Sequence, residues 1–157
     1  MSTPTPVTAL ARRWRLELDM SAAKDGSDWQ LVVGVTDFKP AAEPNIEDSS
    51  DYDSGGWAGN TKTGQSWELG VTINRKINDQ VKTYHPTHEV FRLASFAFGS
   101  ASQVHVRYMD RDGLPEAYEG TAIVTWTPSG GETTALDQVE MTLTGDGALV
   151  PITNPLA

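Results

Sequence analysis

Cysteine is missing from this chain of 157 residues, and with it go disulfides, thiolate nucleophiles and cysteine-ligated zinc. Long apolar runs are missing too. No segment approaches the roughly 18 apolar residues of a membrane-spanning helix, and the start of the chain holds no apolar core of a secretory signal. A soluble protein, neither secreted nor bound to a membrane, is expected. Cations are scarce: 12 Lys and Arg stand against 21 Asp and Glu, a net charge of −9. That sign opposes tight binding to a phosphate backbone, so sequence-specific DNA binding is not expected. The G-x-S-x-G elbow, the Walker loop and the G-x-G-x-x-G fingerprint are absent as well, and the chain reads as non-enzymatic.

What the sequence does have is period-two alternation, the mark of half-buried strands. In "RWRLELDM" Trp14, Leu16, Leu18 and Met20 alternate with Arg13, Arg15, Glu17 and Asp19, which gives one apolar and one charged face. "DWQLVVGVTDF" places Trp29, Leu31, Val33 and Val35 on one face, with turn chemistry in the preceding "KDGSD". "SWELGVTINRKI" repeats the pattern through Trp67, Leu69, Val71, Ile73 and Ile77. "QVHVRYM", "AYEGTAIVTWT" and "DQVEMTLTG" continue it, joined by the turn-rich "DRDGLPE" and "PSGGETT". At least six strands are expected in one domain, which at this length buries roughly 68–70% of its unfolded surface. One helix is expected in "HPTHEVFRLASFAFGS", starting at Pro86, stopping near Gly99 and burying Val90, Leu93, Ala94, Ala97 and Phe98.

Candidate chemistry is thin. His85, His88 and Glu89 lie close on the helix start, but the zincin spacing of two His four apart is not met, and the one remaining His is His105. "DYDSGG" opens like a calcium loop at Asp51 and Asp53, yet the fifth and twelfth positions are Gly55 and Lys62 where oxygen ligands are needed. A looser calcium site at Asp48, Asp51 and Asp53 stays open beside a plain acidic loop. Asp110, Asp112, Glu116 and Glu119 could be a glycosidase carboxylate set, but a hairpin turn explains them with less.

The distinctive stretch is the connection of residues 39–65, which contains "EDSSDYDSGGWAGNTKTGQ". Structureless connections beyond about 12–15 residues are uncommon unless functional or disordered. Residues 41–60 carry Glu43, Glu47, Asp48, Asp51 and Asp53 with no Lys or Arg, together with Tyr52 and Trp57. Aromatics beside glycines suit a binding arm, since they give contact area with backbone freedom.

A negatively charged β-domain with a short proline-bearing arm, the excursion "EPNIEDSSDYDSGGWAGNTKTGQSWELGVTINRK", a lone helix and the closing "DQVEMTLTGDGALVPITNP" resembles the major tail (tail tube) proteins of long-tailed, non-contractile bacteriophages, those infecting actinobacteria most closely. The resemblance runs from about Arg12 to Pro155, with "DYDSGGWAGNTKT" its most telling piece. It implies a mainly β fold of two packed antiparallel sheets, the β-sandwich of the tail-tube fold, with one flanking α-helix. The single domain 1–157 would comprise an N-terminal arm 1–11, a long inter-ring loop 39–65 and a C-terminal arm 148–157. The immunoglobulin-like domain that some relatives add at the C-terminus is not expected in this chain.

By the same resemblance six subunits form a ring, and rings stack into the tube through which DNA leaves. Asp51, Tyr52, Asp53, Trp57, Asn60 and Lys62 would make inter-ring contacts, and Glu68, Glu119 and Glu140 would face the lumen and repel DNA. The implied partners are further copies of the chain, a tape measure protein in the lumen, tail terminator and distal tail proteins, and passing double-stranded DNA without specific binding. No cofactor, metal or membrane is implied, and the location is the virion tail, with host cytoplasm during assembly. Two other readings stay open: a calcium-dependent carbohydrate-binding β-sandwich using Trp57 and Trp67, and the ring-forming tube protein of type VI secretion.

Overall fold

The computed structural model describes residues 3–157; Met1 and Ser2 of the expected N-terminal arm lie outside the described residues. The elements in chain order are β1 (Trp14–Asp19), β2 (Trp29–Leu31), β3 (Val35–Asp48), β4 (Asn60–Asn74), β5 (Ile77–Asn78), β6 (Thr83–Tyr84), α1 (Pro86–Phe96), β7 (Gln103–Asp110), β8 (Ala117–Pro128) and β9 (Gln138–Pro151). The mainly β, antiparallel, one-helix architecture expected from the sequence is present. Seven strands form one sheet in the order β2-β1-β7-β8-β9-β4-β3, and β5 pairs with β6 in a separate ribbon.

The two outermost strands of the large sheet, β2 and β3, are separated by only residues 32–34. One passage of chain therefore serves both edges. Val32 N–H donates to the Leu16 carbonyl of β1 at 3.0 Å, and the Gly34 carbonyl accepts from Asn74 N–H of β4 at 2.7 Å. The sheet is thus joined across residues 32–34, and its two facing layers are halves of one continuous structure, while β2 and β3 each pair with a strand on one side only. Rings from both halves meet inside: Trp14 of β1 lies 5.9 Å from Phe38 of β3 and 5.4 Å from Tyr108 of β7.

Alternation fills this interior as expected in β1, β4 and β7–β9. Leu16, Leu18, Leu69, Val71, Ile73, Val104, Val106, Val124, Met141 and Leu143 are all buried in one cluster, each worth about 1.5–3 kcal/mol of transfer free energy. The expected single strand in "DWQLVVGVTDF" is instead broken at Gly34, whose φ of 78° is a left-handed conformation that favours glycine. Ahead of the break the expected face is not the buried one: Val32 is buried while Leu31 is exposed.

Three further expectations are corrected. The helix starts at Pro86 with His85 as its N-cap, but its buried stripe is Thr87, His88, Phe91 and Ala94, and Leu93 and Phe98 are exposed. The reason is polar: His88 Nδ1 accepts from Lys76 N–H and its Nε2 bonds the Val33 carbonyl at 2.7 Å, which turns the first helical turn inward over the closure point. The segment 39–65 is mostly paired strand rather than loop, with β3 and β4 in register from Val35↔Ile73 to Asp48↔Asn60. The end of the chain, expected as an arm from 148, is docked: Ile152 N–H donates to Ala117, and the buried Asn154 Nδ2 donates to Asp110 and Leu114 carbonyls.

Candidate functional site

Two features stand apart from the core, a projecting ribbon and a polar strand face. β4 is 15 residues long and only its second half, from Glu68, pairs with β9. The first half pairs with β3 alone, so residues 42–48 and 60–67 extend from the body as a two-stranded ribbon. Its root is fixed by Trp67. The indole is 5% exposed, and its Nε1–H donates to the Gly147 carbonyl at 3.0 Å. It lies on Gly145 and close over Gly120, where a Cβ would stand 2.7 Å from Cζ2. Glycine at both positions is what lets the ring lie flat against the backbone.

The tip is ordered by its own short-range bonds. Asp51 caps the turn Tyr52–Ser54 by accepting from Asp53 N–H at 3.0 Å, and Ser54 Oγ returns a bond to Asp51 N–H. Gly55 and Gly56 take positive φ, Gly59 N–H donates to Ser50 Oγ, and Asp48 accepts from Ser50 N–H; the Ser50 side chain and then its backbone N–H hold the Asp48 carboxyl below the usual range. These bonds present Tyr52 at 107% and Trp57 at 82% relative exposure. Asn60 closes the last ribbon pair with Asp48, and Lys62, opposite Ile46, bonds Gln65. The structure therefore gathers Asp51, Tyr52, Asp53, Trp57 and Asn60 at or beside one tip and leaves Lys62 on the ribbon shaft.

The polar face runs across β8, β9 and the body half of β4. Glu68 is flanked by buried Trp67 and Leu69, Glu140 by buried Val139 and Met141, and Glu119 by Tyr118 and buried Gly120, so all three point away from the core. Thr72, Thr121, Thr125, Thr127, Thr142 and Thr144 share this outward face, and the three strand segments contain no Lys or Arg.

Sequence reasoning missed the continuation of this face onto β1 and β7. There Glu17 and Asp19 are 5% and 4% exposed, although their alternation reads as a wet charged face. Glu17 accepts from Arg107 Nε at 2.7 Å and from Arg15 Nε at 2.8 Å. Asp19 accepts from His105 at 3.1 Å and from Ser21 and Gly26 N–H groups. Burial alone would raise the Asp19 carboxyl, but those hydrogen bonds outweigh it and hold it well below the usual range. Trp29 covers the cluster, with Arg107 4.5 Å from its ring centre and His105 4.7 Å. The like-for-unlike order of Arg15, Glu17 and Asp19 against His105 and Arg107 was the available signal, but only the pairing of β1 with β7 brings the charges together.

The catalytic and ligand readings lose their residues to structural roles. His85 caps α1, His88 locks the closure, and Asp110 Oδ1 accepts from Asp112 N–H in the β7–β8 turn. Among the described residues no three His, Asp or Glu side chains are grouped as metal ligands would be. The sugar platform of Trp57 and Trp67 fails because Trp67 is buried beneath the β9 backbone.

Similarity to known structures follows the fold. The chain superposes with a TM-score of 0.70 and 15% identity on a chain of the tail of an empty gene transfer agent particle with C6 symmetry, covering 93% of this chain and all of that one. A chain of the native gene transfer agent virion matches with a TM-score of 0.66 at 14% identity, over 90% of this chain and 97% of that chain. The PVC sheath-tube complex of an extracellular contractile injection system, in the extended state, matches with a TM-score of 0.63 at 10% identity, over 96% and 100%. The fold is that of tail components of phage-like particles. Neither a protein-family model nor a curated protein matches the chain.

Proposed function

We propose that the protein is a structural, non-enzymatic tail tube subunit of a long-tailed, non-contractile particle of the actinobacteriophage type. Rings of six copies would stack into a conduit for DNA. The observation that carries this reading is the superposition on a whole chain of a C6-symmetric tail. Two local features support it. The ribbon projects from the body and leaves Tyr52 and Trp57 of its tip exposed, as an inter-ring arm requires. The face formed by β8, β9 and the body of β4 carries Glu68, Glu119 and Glu140 with threonines and no cation, so as the lumen wall it would offer phosphate no clamp. A tape measure protein would occupy that lumen before DNA, and terminator and distal tail proteins would cap the two ends of the tube. Virion tail, with host cytoplasm during assembly, is the corresponding location.

Negative-stain microscopy of concentrated protein tests this. Tubes of uniform width are expected, and a species that stays monomeric at every concentration overturns the reading. Removing residues 45–63 shortens the ribbon between the paired Pro44 and Gly64 neighbourhoods while sparing Trp67, so a cooperatively melting subunit that makes no tubes is expected.

A further inference from the structure

We infer that the ribbon tip of one copy docks on the surface around the β5–β6 ribbon of a second copy, an inference that rests on the tube reading. The two surfaces lie at opposite ends of one strand. β4 begins at Asn60 beside the tip and ends at Asn74, and Arg75, Lys76 and the β5–β6 ribbon follow directly. At about 3.4 Å per residue the strand separates them by roughly 50 Å. Their chemistry is complementary. Residues 41–60 hold five carboxylates and no cation, with Tyr52 and Trp57 exposed. The far end holds Arg75 and Arg92 over Tyr84 and Lys76 and Lys82 directly before the two strands of the β5–β6 ribbon, with Ile77 and Val81 exposed beside them.

The charge there is only partly paired. The Arg75 guanidinium lies 4.0 Å over the Tyr84 ring, and its ionic contact with the exposed Asp137 is 3.7 Å long. Lys76 makes no ion pair among the described residues, whereas Lys82 faces Asp79 at 3.1 Å and Arg92 pairs with Glu89. An incoming acidic tip would meet these cations while its aromatic rings cover Ile77, Val81 and Tyr84. Because the two patches differ, the contact is head-to-tail, and such a contact repeats into an open stack when its rotation does not close.

The test uses the full chain. Lys76→Glu with Lys82→Glu should raise the critical concentration for tubes at least about tenfold, as should Asp53→Lys with Glu47→Lys, and the four changes together should return it to within about threefold of the parent. Asp53 and Glu47 are chosen because neither caps the tip turn, and unchanged melting of each variant confirms that it folds. Parent tubes with a critical concentration indifferent to the lysine reversals overturn this inference alone, while absence of tubes from the parent overturns the tube reading. Cross-linking decides the contact independently of tubes, because the chain has no native cysteine. Asp53→Cys protein mixed with Lys82→Cys protein should form a disulfide-linked pair under mild oxidation, and no pair above that of an Asp53→Cys and Glu140→Cys mixture overturns the docking.

Discussion

Gly34 and Asn74 are bound back to back: Asn74 N–H donates to the Gly34 carbonyl at 2.7 Å, and a Cβ on Gly34 would overlap the Asn74 carbonyl oxygen. This is the point at which one strand passes from β1 to β4 and the two halves of the sheet join. Gly34→Ala must therefore both adopt a φ near 78° and push the two backbones apart. The conformational part alone costs about 1–3 kcal/mol, and the overlap adds to it. A melting temperature lower by at least roughly 2 °C is expected by calorimetry; an unchanged value would mean that the closure contributes little.

Trp67 and Gly145 make the ribbon root a second tight contact. Gly145→Ala forces the indole off its shelf and away from the Gly147 carbonyl, an overpacking cost of about 1–3 kcal/mol. Because Trp67 pairs with Ala42, limited proteolysis within residues 39–65 should also accelerate. Gly64→Ala is the control, since its Cβ would meet only Asn45 Cβ at an ordinary 3.8 Å. Equal behaviour of the two variants would refute the role given to the indole.

Stability of the unassembled chain should fall with acid in two windows of the same sign. Burial pushes the His88 imidazole below its ordinary value, against the opposing bond to Val33, with His85, Arg75 and Lys76 adding to the lowering. Above about pH 6.5 both folded and unfolded forms are neutral. As pH falls below it the unfolded chain takes up the proton first, so stability is lost. Asp19, whose folded carboxyl is depressed, gives stability that is present above about pH 3.9 and lost below. Thermal melts from pH 8 to 3 should show both falls, with the upper one absent in His88→Gln. A melting temperature that climbs between pH 7 and 5 would contradict the assignment.

On the proposed lumen wall, replacing Glu68, Glu119 and Glu140 together with Lys changes the sign of the charge but not the core. Screening over about 8 Å at physiological salt should leave assembly largely intact. Particles built from this variant should eject DNA poorly at low salt, because Lys binds phosphate where Glu repels it. Normal ejection would move these carboxylates to the outer wall while leaving the tube reading in place.

The alternation of apolar residues in β1, β4 and β7–β9, the helix start at Pro86 and the outward positions of Glu68, Glu119 and Glu140 were all legible in the sequence, because the pleat and the first helical turn are local properties. Which polar face would be covered was not. Glu17 is buried by Arg107, 90 residues away, and α1 turns Leu93 outward because His88 finds Val33, 55 residues away. The segment 39–65 looked structureless because a ribbon with both faces in water needs no apolar period; its pairing is set by backbone bonds between β3 and β4 and by Trp67 at its root. The sequence by itself determined where strands run and which side of each is apolar, since a period of two needs only neighbours. Only the tertiary structure decided that the two halves of the sheet join at Gly34, that the charged side of β1 goes dry and that the ribbon stands free, since each depends on groups the chain brings together from far apart.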